Sequence, residues 1–208
     1  MPKSWPLPRK ERKFIIKGSG PHSLKSSIPS LIVLRDILKV VKTKKEAKKV
    51  LNENLVLVDN HIIKDEKFGV GFLDRIYIKK LEKAFTVSFT KKGKLQIQEI
   101  DKEKANKKPC KIIGKTILKY NKIQVNLYDG KNFIITQKNI NVGDSALLDL
   151  KTSKIIGYLK LQKGAHVVII GGKHLGSIGE ISEINDKIFI ISEGKTLDIQ
   201  KENVFVIE

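Results

Sequence analysis

The sequence predicts an α+β chain that is mostly β, and three observations carry that expectation. Apolar residues recur at helical 3–4 spacing between positions 29 and 51. Beyond position 55 they alternate with polar residues in short runs, the period of half-buried strands. Glycine, asparagine and aspartate turn signals separate those runs at even intervals, the pattern of small sandwiches and barrels. The chain has 208 residues, 40% of them hydrophobic, enough for two or three small domains. Composition shifts suggest a basic N-terminal extension over 1–27, a helix–hairpin module over 28–80, a central β domain over 81–155 and a C-terminal β domain over 156–208.

Residues 1–27 contain Pro2, Pro6, Pro8 and Pro21 with a cationic cluster of Arg9, Lys10, Arg12, Lys13 and Lys17. Proline and charge are expected to keep this arm out of a packed core, so that it orders only on a phosphate backbone. Trp5 and Phe14 are either stacking platforms for bases or anchors of the arm on the protein's own surface. A first helix is expected over 29–41, with Leu31, Leu34, Ile37, Leu38 and Val41 on one face and Pro29 in the first turn, where its missing N–H costs nothing. Thr43 and Glu46 form a capping box that starts a second helix. At about 100° per residue, Ala47, Val50 and Leu51 share one face of it, and Lys44, Lys45, Lys48 and Lys49 fan over the other. Residues 55–59 read as a strand, the Asp59-Asn60-His61 turn suits residues that tolerate positive φ, and Ile62 and Ile63 return. Gly69 and Gly71 punctuate a turn before Ile76 and Ile78 alternate in a closing strand.

In the central stretch Phe85, Val87 and Phe89 alternate with polar partners, Lys91-Lys92-Gly93-Lys94 turns, and Leu95, Ile97 and Ile100 return. A lysine-rich connection over 101–111 follows. Ile123, Val125 and Leu127 alternate into Asp129-Gly130, a hairpin signal, with Phe133 and Ile135 beyond. Val142-Gly143-Asp144-Ser145 introduces a strand over 147–150. In the last domain 167–170 is fully apolar, and Gly171, Gly172, Gly176 and Gly179 permit tight turns and close backbone approach. Strands are expected around Ile181, Ile184, 188–191 and 204–207. From Gly176 onward acidic residues outnumber lysines, so that end is expected to face solvent or protein rather than a polyanion.

Lysine and arginine total 41 against 22 aspartates and glutamates, a net charge of +19. Self-repulsion on that scale stabilises nothing; its usual reason is a polyanionic partner, nucleic acid first. A membrane surface would need a long basic amphipathic helix, and a membrane span about 18 apolar residues in a row; the sequence has neither pattern. The start lacks an apolar signal core, so the chain is expected in the cytoplasm. One cysteine, Cys110, excludes an intrachain disulfide and a multi-cysteine zinc site, and His22, His61, His166 and His174 make no HExxH pair. No metal and no cofactor are expected. Gly114-Lys115-Thr116 lacks the upstream glycine of a P-loop, since position 109 is Pro109. Cys110 stands beside Lys108 and Lys111 without an oriented base and reads as a small buried hydrophobe rather than a nucleophile.

The order of lysine-faced helix and hairpin resembles the S4-type RNA-binding domain, the αL module. That resemblance is carried by Leu34-Arg35-Asp36-x-Leu38, by Glu46-Ala47 with Val50-Leu51, and by Val56-x-Val58-Asp59-Asn60. From Lys163-Gly164 through Gly179 to Ile184 the chain resembles a KOW motif, the hairpin of a small SH3-like barrel. The order of parts is more specific than any part. The arm SWPLPRKERKF, then GPHSLKSSIPSLIVLRD, FGVGFLDRIYI, a central β domain, the KOW-like hairpin and a closing NVFVIE are similar to the archaeal and eukaryotic small-subunit ribosomal protein family S4e. The start, Ser4-Trp5-Pro6-x-Pro8-Arg9-Lys10-Glu11, resembles the archaeal branch. The pattern departs at its ends, so contacts from a longer basic lead or a C-terminal extension are not carried over.

The resemblance implies a structural constituent of the small ribosomal subunit, cytoplasmic on the ribosome, that binds small-subunit rRNA and supports its folding, assembly and translation. It implies neighbouring small-subunit ribosomal proteins as partners, no catalysis, no membrane and no homo-oligomer. By motif it puts Arg35, Lys44, Lys45, Lys48 and Lys49 on the RNA face, with His61 and Lys64 at the hairpin. His166, Lys173 and His174 fall on the KOW hairpin loops. Arg9, Lys10, Arg12, Lys13, Lys17, His22 and Lys25 are the candidates of the arm. S4-type modules also occur on RNA-modifying enzymes such as pseudouridine synthases, but these need a catalytic domain, and the two β domains offer no convergent Asp, His or Cys set. A KOW transcription factor of the NusG type would bind polymerase; the basic arm and the αL-like module argue against it.

Overall fold

Two stretches of chain fold as separate units, residues 1–89 with 94–108 and residues 90–93 with 109–208. The structure, a computed structural model, describes residues 1–11, 14–120, 122–136 and 139–207.

The first unit opens its regular structure with β1 (Ser27–Pro29), followed without a break by α1 (Ser30–Ile32) and one wide π-helical turn over Val33–Ile37. The Leu38 N–H donates to the Val33 carbonyl five residues back, and Lys39 takes a φ of 53° that ends the helix. The expectation of one regular helix over 29–41 is corrected on two counts: Pro29 closes a strand, and the helical segment stops at Ile37. Residues 31–34 are all buried. A segment enclosed on every side shows apolar residues at any spacing, so spacing does not mark its end.

α2 (Lys44–Asn52) begins where its cap predicts. Thr43 Oγ1 accepts the Glu46 N–H at 3.2 Å, and the Glu46 carboxylate reaches back to the Lys42 N–H at 2.8 Å. That Lys42 bond, with the Thr43 contacts, holds the Glu46 carboxyl below the usual carboxylate range. Ala47 and Leu51 are buried, whereas Lys44, Lys45, Lys48 and Lys49 are exposed.

β2 (Val56–Val58) and β3 (His61–Ile62) form a hairpin. Its turn residues Asp59 and Asn60 have φ of 49° and 65°, the left-handed pair that matches strand twist in a two-residue loop. β4 (Gly69–Gly71) pairs with β1, and β5 (Arg75–Ile78) with β2. β6 (Lys83–Phe89) and β7 (Leu95–Ile100) extend the sheet from β5, giving the order β3-β2-β5-β6-β7. The hairpin at 83–100, expected in the central domain, therefore hydrogen-bonds into the sheet of the first unit, past the expected boundary at 80/81.

The arm also departs from expectation. Trp5 is 2% exposed, and its indole N–H donates to the Ser27 carbonyl at 2.8 Å. The Ser4 carbonyl accepts the Leu95 N–H at 2.6 Å, and Ser19 bonds through its backbone to Lys67 and Gly69. Burying one indole removes roughly 150–250 Å² from water, enough to override the local preference of a proline-rich stretch for solvent. Trp5 is thus an anchor of the arm, whereas Phe14 is exposed.

β8 (Lys107–Ile117) enters the second unit from Pro109 onward. With β9 (Ile123–Leu127), β10 (Asn132–Ile135), β11 (Ser145–Asp149) and β12 (Lys154–Leu159) it forms a sheet of order β10-β9-β8-β11-β12. Cys110, Ile112, Val125, Leu127, Ala146 and Leu148 fill its core. β12 crosses the expected 155/156 boundary. The connection expected over 101–111 is also corrected: it ends as strand, with Lys108 and Lys111 buried. Cys110 is buried with Sγ 3.5 Å from Asp129 Oδ2.

β13 (His166–Ile169), β14 (Ile178–Ile184), β15 (Ile188–Ser192), β16 (Lys195–Ile199) and β17 (Val204–Val206) form the last sheet, in the order β16-β15-β14-β13-β17. Its core holds Val167, Ile169, Ile181, Ile190 and Val204. A Cβ on Gly179 would lie 2.4 Å from the Ile191 carbonyl oxygen, so the approach of β14 to β15 requires glycine there.

Candidate nucleic-acid interface

The exposed face of α2 is not a set of independent lysines. Lys44 Nζ lies 3.1 Å and Lys48 Nζ 3.7 Å from Glu66 Oε1, and Lys49 Nζ lies 3.9 Å from Glu53 one turn on. Glu66 sits on the loop between β3 and β4, pinned to α1 by three bonds. Its carbonyl accepts the Leu31 N–H at 3.1 Å, the Ser30 hydroxyl donates to the Asp65 carbonyl at 2.9 Å, and the Ser30 N–H donates to the Phe68 carbonyl at 2.8 Å. A fixed carboxylate therefore organises two exposed cations. Sequence reasoning missed Glu66, because nothing within a helical turn of it signals the contact.

The hairpin tip presents His61, and Lys64 follows it on the surface. From within, the tip is held by Lys108, whose Nζ lies 2.6 Å from both Asp59 Oδ2 and Asp74 Oδ1. Asp59 also accepts the Arg75 N–H at 3.0 Å, and Asp74 the Gly71 N–H at 2.6 Å. Burial alone would raise the Asp74 carboxyl, but Lys108 and His22 outweigh it and hold it below the usual range. Arg75 is structural, donating to Thr86 Oγ1 at 2.6 Å and to the Lys107 carbonyl at 3.2 Å.

His22 is packed into the fold. Its Nε2 lies 3.2 Å from Asp74 Oδ2 with both side chains 3% exposed, and its ring covers Gly71. Arg35 is half-buried and turned onto Asp36, with Nη2 2.9 Å from Oδ2. Arg9, Lys10, Lys17 and Lys25 are exposed, whereas Arg12 and Lys13 lie outside the described residues.

In the second unit His166 is exposed at the start of β13, and Lys173 and half-buried His174 lie in the turn between β13 and β14. Lys111 belongs to the interior: its Nζ donates to the carbonyls of Lys201 at 3.1 Å and Glu202 at 2.6 Å. Burial pushes its ammonium down to about 8, against the pull of Glu202. Among the described residues no cluster of three or more His, Cys, Asp or Glu could hold a metal ion. No described helix is long and apolar enough to cross a membrane. What these surfaces offer chemically is positive point charge on ordered elements, suited to phosphate.

The model of the Ribosomal family S4e matches residues 81–155, and that of the KOW motif matches residues 163–193. Small ribosomal subunit protein eS4 of Methanosphaera stadtmanae is 42% identical over 202 residues, which span 97% of this chain and 83% of that protein. The chain belongs to the S4e family. The eS4 protein of Methanothermobacter thermautotrophicus is 37% identical over 215 residues, 99% of this chain and 88% of the relative. The crystal structure of the 30S ribosomal protein S4e from Thermoplasma acidophilum matches with a TM-score of 0.76 at 32% identity, covering 88% of this chain and 95% of that one. Within this S4e chain the family match runs from just before β6 into β12, and the KOW match takes in β13, β14 and β15.

Proposed function

We infer that this S4e chain is a structural constituent of the small ribosomal subunit that binds its rRNA and performs no catalysis. The observation that carries the reading is the eS4 relative, 42% identical across 97% of the chain. Charge supports it independently, since +19 needs a polyanion. α2 with the β2–β3 hairpin is read as an αL-type RNA-binding module, and the β13–β17 sheet as an SH3-like KOW barrel. Neighbouring ribosomal proteins complete its setting, and it acts as a single copy in the cytoplasm.

Binding proceeds by electrostatic capture and then docking by shape. Lys44, Lys45, Lys48 and Lys49, with exposed Arg9, Lys10, Lys17 and Lys25, neutralise phosphates and release counterions. About eight such contacts give a slope of log affinity against log salt of roughly −6 to −7, at −0.7 to −0.9 per phosphate. The hairpin tip at His61 and the loop with Lys173 and His174 then fit the folded RNA by shape and 2′-hydroxyl contacts. The arm arrives already docked through Trp5, so its cations are presented rather than recruited.

Filter binding of a small-subunit rRNA transcript across a salt series tests this. Replacing Lys44, Lys45, Lys48 and Lys49 with Gln should reduce the steepness of the slope by roughly 3, four contacts at −0.7 to −0.9 each, without unfolding the protein. An unchanged slope and affinity would remove α2 from the interface.

A further inference from the structure

The loop that carries Glu66 holds a feature that phosphate binding does not explain. The Glu66 side chain is only 9% exposed, and its Oε1 takes Lys44 and Lys48. Its other oxygen, Oε2, is buried and accepts no hydrogen bond among the described residues. A buried acceptor without a donor is costly, and such groups are rare enough to ask what donor belongs there. Glu66 lines a cavity of about 420 Å³ together with Lys48, Asn52, Lys64, Asp65 and Lys67. Asp65 is already engaged, accepting the Lys67 N–H at 2.8 Å and the Ser19 hydroxyl at 3.3 Å. Lys44, Lys48, Lys64 and Lys67 outnumber the two carboxylates, so the cradle attracts an anion overall while repelling one at Glu66 itself.

A ligand for this cradle must be anionic at its flanks and present a neutral donor at its middle. The RNA backbone has that pattern at every nucleotide, a 2′-hydroxyl between two phosphates, and the DNA backbone lacks the hydroxyl. We propose that the cradle is a ribonucleotide subsite in which the Glu66 carboxylate accepts one ribose 2′-hydroxyl while Lys48, Lys64 and Lys67 hold the adjoining phosphates. The subsite rests on the ribosomal reading and deepens it, because it makes Glu66 a reader of RNA rather than a counterion alone. The Lys44 and Lys48 side chains over the carboxylate are more than half exposed and give way to a ligand without disturbing the core.

The test is 2′-deoxy interference. Small-subunit rRNA is transcribed with sparse, random 2′-deoxy phosphorothioate nucleotides, bound by the full chain, and the retained RNA is cleaved with iodine to show where a hydroxyl was needed. With the wild-type protein at least one position should be depleted by about ten-fold or more, the loss of a hydrogen bond to a charged acceptor. Glu66→Met should erase that depletion and leave the others, and Glu66→Gln, of the same shape but uncharged, should weaken it; thermal melting confirms that each variant is folded. The same interference pattern in wild type and in both variants would overturn the subsite. A wild-type protein that fails to retain the transcript at all would overturn the ribosomal reading, and the subsite with it.

Discussion

Lys108→Met removes a cation that the sequence places in a solvated lysine run and the structure places between two carboxylates. Both contacts are 2.6 Å, and the Lys108 side chain is 1% exposed. Removing one partner of a buried pair costs about 3–5 kcal/mol, because the charge left behind stays buried. The Gly71 N–H and His22 on Asp74, and the Arg75 N–H on Asp59, moderate the loss without cancelling it. Against total stabilities of about 5–15 kcal/mol, a loss of that size leaves the first unit marginal. The pH dependence gives a second signature. In the wild type Asp74 is held below the usual carboxylate range, so its pairing stabilises the fold above about pH 4 and is lost as pH falls below it. Lys108→Met removes the largest of the interactions that hold Asp74 low while its burial remains, so the variant's deficit relative to the wild type narrows as pH falls from about 7 to about 3. Trp5 is the single tryptophan and lies in the first unit, so urea unfolding followed by its fluorescence reads that unit alone. A deficit under about 1 kcal/mol at pH 7, or one equal at pH 7 and pH 3, would overturn this assignment, since surface substitutions fall within about 0.5 kcal/mol.

Trp5→Ala should cost about 3–5 kcal/mol by thermal unfolding followed by circular dichroism, whereas a solvated arm would lose almost nothing. Lys111 has its ammonium lowered to about 8, so the folded protein binds fewer protons than the unfolded chain from there to the ordinary lysine range. Stability of the second unit should therefore rise between pH 8 and pH 10 relative to Lys111→Met, and parallel pH profiles for the two proteins would contradict the assignment. Gly179→Ala drives a Cβ against the Ile191 carbonyl oxygen and should cost roughly 1–3 kcal/mol, with faster amide exchange along β14 and β15; unchanged exchange would show that the strands have room.

Features encoded within a few residues were legible in the sequence. The Thr43–Glu46 cap fixed the start of α2, and a turn at Asp59-Asn60-His61 was legible because its residues tolerate positive φ, although His61 already belongs to β3 and the loop has two residues. Gly114-Lys115-Thr116 was legible as no phosphate loop, because Pro109 stands where the loop needs glycine, and it lies in β8. What escaped depends on contacts distant along the chain. Lys108 and Lys111 look solvated until Asp59, Asp74 and the 201–202 carbonyls are brought to them. Trp5 looks available to a base until Ser27 accepts its N–H. Glu66 carries no local motif, and its role follows from lysines about twenty positions earlier. The 83–100 hairpin alternates equally well for either neighbouring sheet, and only its pairing with β5 decides between them.

Sedimentation of native lysate shows whether the chain is built into the small ribosomal subunit. The chain is followed through a sucrose gradient at low salt and again at about 0.5 M salt, where exposed phosphate contacts are strongly screened. A docked constituent should stay with the small subunit in both gradients, since shape-specific contacts survive the loss of surface electrostatics. Release to the top of the high-salt gradient would contradict that place and mark the chain as a loosely held factor.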